Sequence, residues 1–148
     1  MSGVDESRFE YVTYIRADAP QLWHALTSPE MMEEYWFGMH AESAWEPGAP
    51  WRLIFADGSL ADTGEVLEAE PPRRLVLKWR NEFRPALKEE GFSRCVFALE
   101  ELAGAVKLTV THTMAVPESK FIEGVANGWP RILANLKSLL ETGDVVQV

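Results

Sequence analysis

Gly128-Trp129-Pro130-Arg131-Ile132-Leu133-Ala134-Asn135-Leu136-Lys137-Ser138-Leu139-Leu140-Glu141 reads as a helix whose apolar stripe is unusually bulky. Trp129, Ile132, Leu133, Leu136, Leu139 and Leu140 recur at three- and four-residue spacing, so they share one face. The pattern predicts a helix over 119–141 that stops at Gly143. Pro130 has no amide hydrogen, which predicts a kink near 127–130 or a fresh start at Trp129. Almost everything before this helix alternates like strands of a half-covered sheet. One helix facing a curved sheet either fills the space between them or leaves it partly open. An open space would be a pocket for an apolar small molecule.

Working back from the helix, residues 39 to 114 read as an antiparallel meander. Strands are expected at 39–45, 50–56, 62–70, 73–80, 92–100 and 105–114, with turns at Glu46-Pro47-Gly48, Asp57-Gly58-Ser59, Pro71-Pro72 and Ala103-Gly104. The charged connection 81–91 is longer and forms a rim where ligand specificity would reside. Alternation puts Trp51, Leu53 and Phe55 on one face, as it does Leu75, Leu77 and Trp79. Cys95, Phe97 and Leu99 align in the same way, as do Val106, Leu108, Val110, His112 and Met114. Lys107, Thr109, Thr111 and Thr113 take the opposite, wet face, which is what a sheet covered on one side requires. Residues 8–16 make a further strand. Asp18 with Pro20, and Ser28 with Pro29, then start two short helices that end at Gly38.

The 148 residues suit one domain, 1–148, with an ordered core at about 8–143. A balance of 14 Lys plus Arg against 23 Asp plus Glu gives a net charge of −9. That argues against nucleic acid, whose phosphates need clustered cations, and against anionic membrane surfaces. No stretch is apolar and long enough to insert in a bilayer. Cys95 is the single cysteine, so neither a disulfide nor a cysteine-built zinc site can form within the chain. With no apolar core of a secretion signal in the polar first eight residues, a reducing cytoplasm is the expected location.

Three segments carry a family resemblance. They are Ala19-Pro20 with Leu22-Trp23-His24-Ala25-Leu26-Thr27, Gly64-Glu65-Val66 leading to Pro71-Pro72-Arg73-Arg74-Leu75-Val76, and Gly128-Trp129 with Ile132-Leu133-Ala134-Asn135-Leu136 closing on Leu140-Glu141-Thr142-Gly143. Their order resembles the START-like superfamily, also called SRPBCC or birch-pollen-allergen-like. Within it they resemble the branch named after the activator of the 90-kDa heat-shock chaperone ATPase. The resemblance covers about residues 8–143. It implies an α+β helix-grip fold: a curved antiparallel sheet of about seven strands, two short helices after strand 1, and a long C-terminal helix over the concave face. It also implies a hydrophobic cavity between helix and sheet. Activity does not follow from fold.

Trp36, Trp51, Phe55, Trp79, Phe97, His112, Trp129, Leu133 and Leu136 are the candidate ligand-binding residues. They converge on a pocket or simply fill a dry core. His112 lies in phase with Val110 and Met114, so it would meet a ligand, act as a base, or be satisfied by a neighbouring polar group. His24 and His40 are expected at the surface, and Arg80, Asn81, Glu82 and Asn127 in solvated turns or a polar rim. Ser43, Ser93 and Cys95 show no base partner in the sequence. Neither a metal site nor a cofactor is expected, because metal-ligand spacing, a phosphate-cradling glycine loop and a dinucleotide fingerprint are all missing from the sequence. The first functional expectation is non-enzymatic carriage or sensing of a small hydrophobic molecule (lipid, polyketide-like or aromatic) by a monomer or homodimer. A cyclase, dehydratase or hydrolase using His112 is the second, and a regulator of the 90-kDa chaperone the third.

Overall fold

The three longer helices start where a short polar side chain can accept the free amide hydrogens of the first turn. In the computed structural model, which describes residues 6–146, Asp18 caps α1 (Ala19–Thr27) by accepting from the Gln21 amide at 2.8 Å. The Gln21 side chain accepts in return from the Asp18 amide at 3.0 Å. Ser28 caps α2 (Pro29–Tyr35), and Ser119 caps α4 (Lys120–Thr142). Gly143 ends α4 with φ +89°, a left-handed conformation that glycine takes without steric penalty.

β1 (Ser7–Ile15) precedes the two short helices. β2 (His40–Ser43), β3 (Pro50–Ile54), β4 (Leu60–Glu70) and β5 (Arg74–Asn81) follow as a meander. The one-turn α3 (Pro85–Lys88) then leads to β6 (Ser93–Leu102) and β7 (Ala105–Met114). All seven strands form one antiparallel sheet in the order β1-β7-β6-β5-β4-β3-β2. The helix-grip α+β fold is therefore present. Register irregularities at Leu53/Ile54 and Val66/Glu68 are the bulges that bend such a sheet around its covering helix.

The expected inward residues are buried except Phe55, which lies just past the end of β3 and is half-buried: Trp51, Leu53, Leu75, Leu77, Trp79, Cys95, Phe97, Leu99, Val106, Leu108, Val110 and Met114. On α4, Trp129, Ile132, Leu133 and Leu136 face them. Each fully buried side chain of this size contributes roughly 2–3 kcal/mol. Gly64 has a specific reason to lack a side chain. The Trp51 indole crosses β4 there to donate to the Lys78 carbonyl at 2.8 Å, and a Cβ on Gly64 would stand 2.6 Å from that indole nitrogen.

Several expectations need correction. α4 does not restart at Trp129; it runs unbroken from Lys120 to Thr142 with Pro130 inside it. Pro130 removes one hydrogen bond, worth about 1 kcal/mol, whereas the apolar residues on either side of it bury several times that against the sheet. The strand expected at 62–70 begins earlier, at Leu60, and the one expected at 39–45 shortens to His40–Ser43. The 81–91 connection contains the turn of helix α3.

Candidate functional site

Between α4 and the sheet the space is nearly full. Trp79 sits at the centre, with ring centroids 4.7 Å from Trp51, 5.8 Å from Trp129 and 6.1 Å from Trp36. Trp129 also meets Trp36 at 5.5 Å and Phe97 at 5.7 Å. Tilted and edge-on pairs of this kind each add about 0.5–1.5 kcal/mol beyond simple burial. The remaining void among Trp36, Trp51, Trp79, Phe97, Trp129 and Leu133 is about 20 Å³, room for one water molecule.

His112 is wholly buried in this layer, and its proton can be placed by elimination. The Trp129 indole N–H is a donor only and lies 3.2 Å from His112 Nδ1, so Nδ1 accepts. The neutral ring then carries its proton on Nε2 and donates it to Ser93 Oγ at 2.9 Å. Ser93 in turn donates to the Trp79 carbonyl at 3.0 Å. Both His112 nitrogens and the Ser93 hydroxyl are thereby satisfied, and burial pushes the His112 pKa down from 6.5 to about 3. Ser93 therefore does have a histidine partner, which the sequence did not reveal. The imidazole donates to that hydroxyl rather than accepting from it, so the pair is not arranged to activate a nucleophile.

At one end of the filled layer the surface opens into a cleft of about 440 Å³. Trp36, Trp79 and Trp129 form its inner wall, and Phe37, Phe55 and Phe83 its outer part. Phe55 and Phe83 pack edge-on at 4.9 Å, and Phe37 and Phe83 remain about half exposed. Gly124 and Gly128 lie one turn apart on the α4 side of the cleft. An added Cβ would meet nothing within 4 Å at Gly124, and at Gly128 only the tip of Ile132 at 4.0 Å. Glycine in a helix interior is unfavourable by about 1 kcal/mol; here its small size keeps that wall low.

Two charged groups, Asp62 and Arg84, line this mostly apolar cleft. Asp62, 7% exposed, accepts from the Trp79 indole at 2.7 Å and from the Asn81 amide at 3.1 Å. Burial raises its pKa from 3.8 to about 6, an effect larger than the opposing hydrogen bonds; the nearby Glu82 charge adds to the rise. Glu82, with its side chain 8% exposed, takes ion pairs from Arg80 at 2.7 Å and Lys88 at 3.1 Å. Burial alone would raise its pKa. The hydrogen bonds from Arg80, Thr63 and Lys88 outweigh that and lower it from 4.5 to about 2. Asn81 is thus a buried polar group and Glu82 a half-buried one, rather than members of a solvated turn.

Of the nine candidate residues, Trp36, Trp79 and Trp129 border both the void and the cleft, and Phe55 borders the cleft alone. Trp51, Phe97 and Leu133 border only the void, while His112 and Leu136 are packed away in the core. His40 is not free at the surface: its side chain is 19% exposed, with Glu33 at 3.3 Å and Glu42 at 3.1 Å. Asp62 escaped the sequence reading although a signal existed. It lies in phase with Gly64 and Val66, the inward face of β4, where a carboxylate is out of place. Among the described residues no group of His, Cys, Asp and Glu is placed to hold a metal ion, and no helix is long and apolar enough to cross a membrane.

The comparisons agree with this architecture. The family model described as activator of Hsp90 ATPase homolog 1-like protein matches residues 16–141, and the chain belongs to that family. None of the curated proteins matches the sequence significantly. Protein MLL2253 from Mesorhizobium loti superposes with a TM-score of 0.78 at 23% identity, over 94% of this chain and 100% of that one. The Aha1 dimer from Colwellia psychrerythraea gives 0.75 at 18% identity, over 93% and 98%. PFC0360w, an HSP90 activator from Plasmodium falciparum, gives 0.73 at 23% identity, over 90% and 95%. At these identities the likeness establishes the fold.

Proposed function

We propose that this member of the activator-of-Hsp90-ATPase family binds a small hydrophobic molecule in the aromatic cleft between α4, α2 and strands β3–β5. The observation that carries the reading is the contrast between a void of about 20 Å³ inside and a cleft of about 440 Å³ at the mouth. The latter lies in the range of small-ligand sites, mostly apolar with a few placed polar groups. The ligand would lie against Trp36, Trp79 and Trp129 rather than between helix and sheet. Trp51, Phe97, Leu133 and Leu136 would support that wall from behind, and His112 would hold the Trp129 ring by its indole nitrogen.

Carriage or sensing fits this arrangement better than catalysis through His112, because both ring nitrogens of His112 are engaged within the protein. Native mass spectrometry and a calorimetric screen with fatty acids and fused aromatics would test the reading. Gly124→Leu should fill the cleft and remove binding while leaving the fold intact. Binding that survives Gly124→Leu, or none across the whole panel, would overturn it. The family description supports a second reading, regulation of the 90-kDa chaperone, for which chaperone pull-down and ATPase stimulation by the purified chain are the direct assays.

A further inference from the structure

A carboxylate buried at an apolar site normally faces a cation or a set of strong donors. Asp62 has neither. Its two hydrogen-bond partners, the Trp79 indole and the Asn81 amide, are neutral. The charged neighbour that acts on it, Glu82, has the same sign. Each carboxylate oxygen has a second lone pair to offer beyond the bond it accepts. The group lines the cleft together with the faces of Trp36, Trp79 and Trp129, and π faces attract cations within about 6 Å.

The charged groups on the surrounding elements are few. β3 places Leu53 opposite Asp62, and β5 places Asn81 there with Glu82 next in sequence. α4 contributes Gly124, Val125, Gly128 and Trp129 to the wall, all uncharged. The nearby cations are Arg84, which lines the cleft over the Phe83 ring, and Arg131 over the Phe37 ring, each at 5.5 Å. An overall charge of −9 further favours the approach of a cation.

We propose that the cleft selects a ligand with an aromatic or alicyclic body and a protonated amine, the ammonium meeting the Asp62 carboxylate among the tryptophan faces. The inference rests on the cleft being the ligand site and adds the chemistry of its occupant. The ammonium would supply the missing counter-charge and donate to the lone pairs that Trp79 and Asn81 leave free. At pH 7.5 Asp62 is mostly ionised, and at pH 5 mostly protonated. Affinity for the amine should therefore fall about tenfold between those values, in step with the ionised fraction.

Three probes with the same ring separate the possibilities: 2-(1-naphthyl)ethylamine, 2-(1-naphthyl)ethanol and 1-naphthylacetate, titrated calorimetrically into the full chain. At pH 7.5 the amine should bind at least tenfold more tightly than the alcohol. That preference should shrink about tenfold at pH 5, where alcohol binding by the unaltered protein changes less than twofold, and disappear in Asp62→Asn. The pH comparison uses the unaltered protein, so the test holds even if the variant folds poorly. Equal binding of amine and alcohol would overturn the inference and leave the cleft reading standing. Preference for the acetate would also overturn it, by assigning selectivity to Arg84 and Arg131. Binding of none of the three would overturn the inference, and the cleft reading would fall with it only if the fatty acids also failed to bind.

Discussion

Asp62→Asn should stabilise the protein at neutral pH, and the gain should vanish in acid. The folded acid keeps its proton up to about pH 6, whereas the unfolded one keeps it only to 3.8. Between these values folding takes up a proton, so stability falls as pH rises. The full difference corresponds to about 3 kcal/mol at neutral pH, most of it developed between pH 4 and 7. Asparagine has the same shape and no charge. It can accept from only one of Trp79 and Asn81, which costs about 1 kcal/mol at every pH. The variant should therefore be slightly less stable than the parent near pH 4 and about 2 kcal/mol more stable at pH 7.

Urea unfolding followed by tryptophan fluorescence, repeated at half-unit steps from pH 4 to 7.5, measures both proteins on one scale. The difference between the two curves is the diagnostic quantity, since the parent curve alone mixes opposing effects. His112 titrates near 3 when folded and 6.5 when unfolded, so its contribution is lost as pH falls below 6.5. That slope opposes the Asp62 slope over the same window and cancels in the subtraction. A difference curve that is flat with pH would refute the argument, because it would mean that Asp62 titrates alike in the folded and unfolded chains.

Three further outcomes follow from the packing. Gly64→Ala should destabilise by more than about 3 kcal/mol, since its Cβ would overlap the Lys78 carbonyl and displace the Trp51 indole that bonds there; equilibrium unfolding checks this. Trp129→Ala should cost about 3–5 kcal/mol because the ring is buried and leaves His112 Nδ1 without its donor, whereas Thr109→Ala, on the sheet's other face, should change stability by less than about 0.5 kcal/mol. Similar losses at both would contradict the observed facing of β7. In proton NMR the His112 ring signals should not titrate between pH 8 and 5, and a titration midpoint in that range would show that the ring is neither buried nor locked by Trp129 and Ser93.

The fold was legible because strand alternation and the helical stripe each follow from one local geometry repeated many times. Val106, Leu108, Val110 and Met114 could be oriented without knowing what lay opposite them. Pro130 does not end the helix, because the energy of docking Trp129 and Leu133 is set by the sheet, which a local rule does not include. The partners of His112 were hidden for a similar reason. Ser93 is placed beside it by the pairing of Cys95 with His112, and Trp129 by how α4 lies across β7. Neither distance exists until the layers close.

The aromatic set itself was ambiguous in principle, since tryptophans that fill a core and tryptophans that line a cavity have the same sequence pattern. What separates the two here is a pair of small residues and an acid. Gly124 and Gly128 lower one wall of α4, so the tryptophan layer ends in a cleft instead of continuing to the surface. Asp62 sits at that boundary on the inward phase of β4, where its charge destabilises the fold at neutral pH. Its destabilising charge and the glycines' poor helix propensity act at the same place; on the proposed reading a bound ammonium would offset the charge, while the helix cost of the glycines would remain. Features that weaken an empty fold in one patch, while the rest of the core is packed to near completeness, are what a site shaped for an occupant requires.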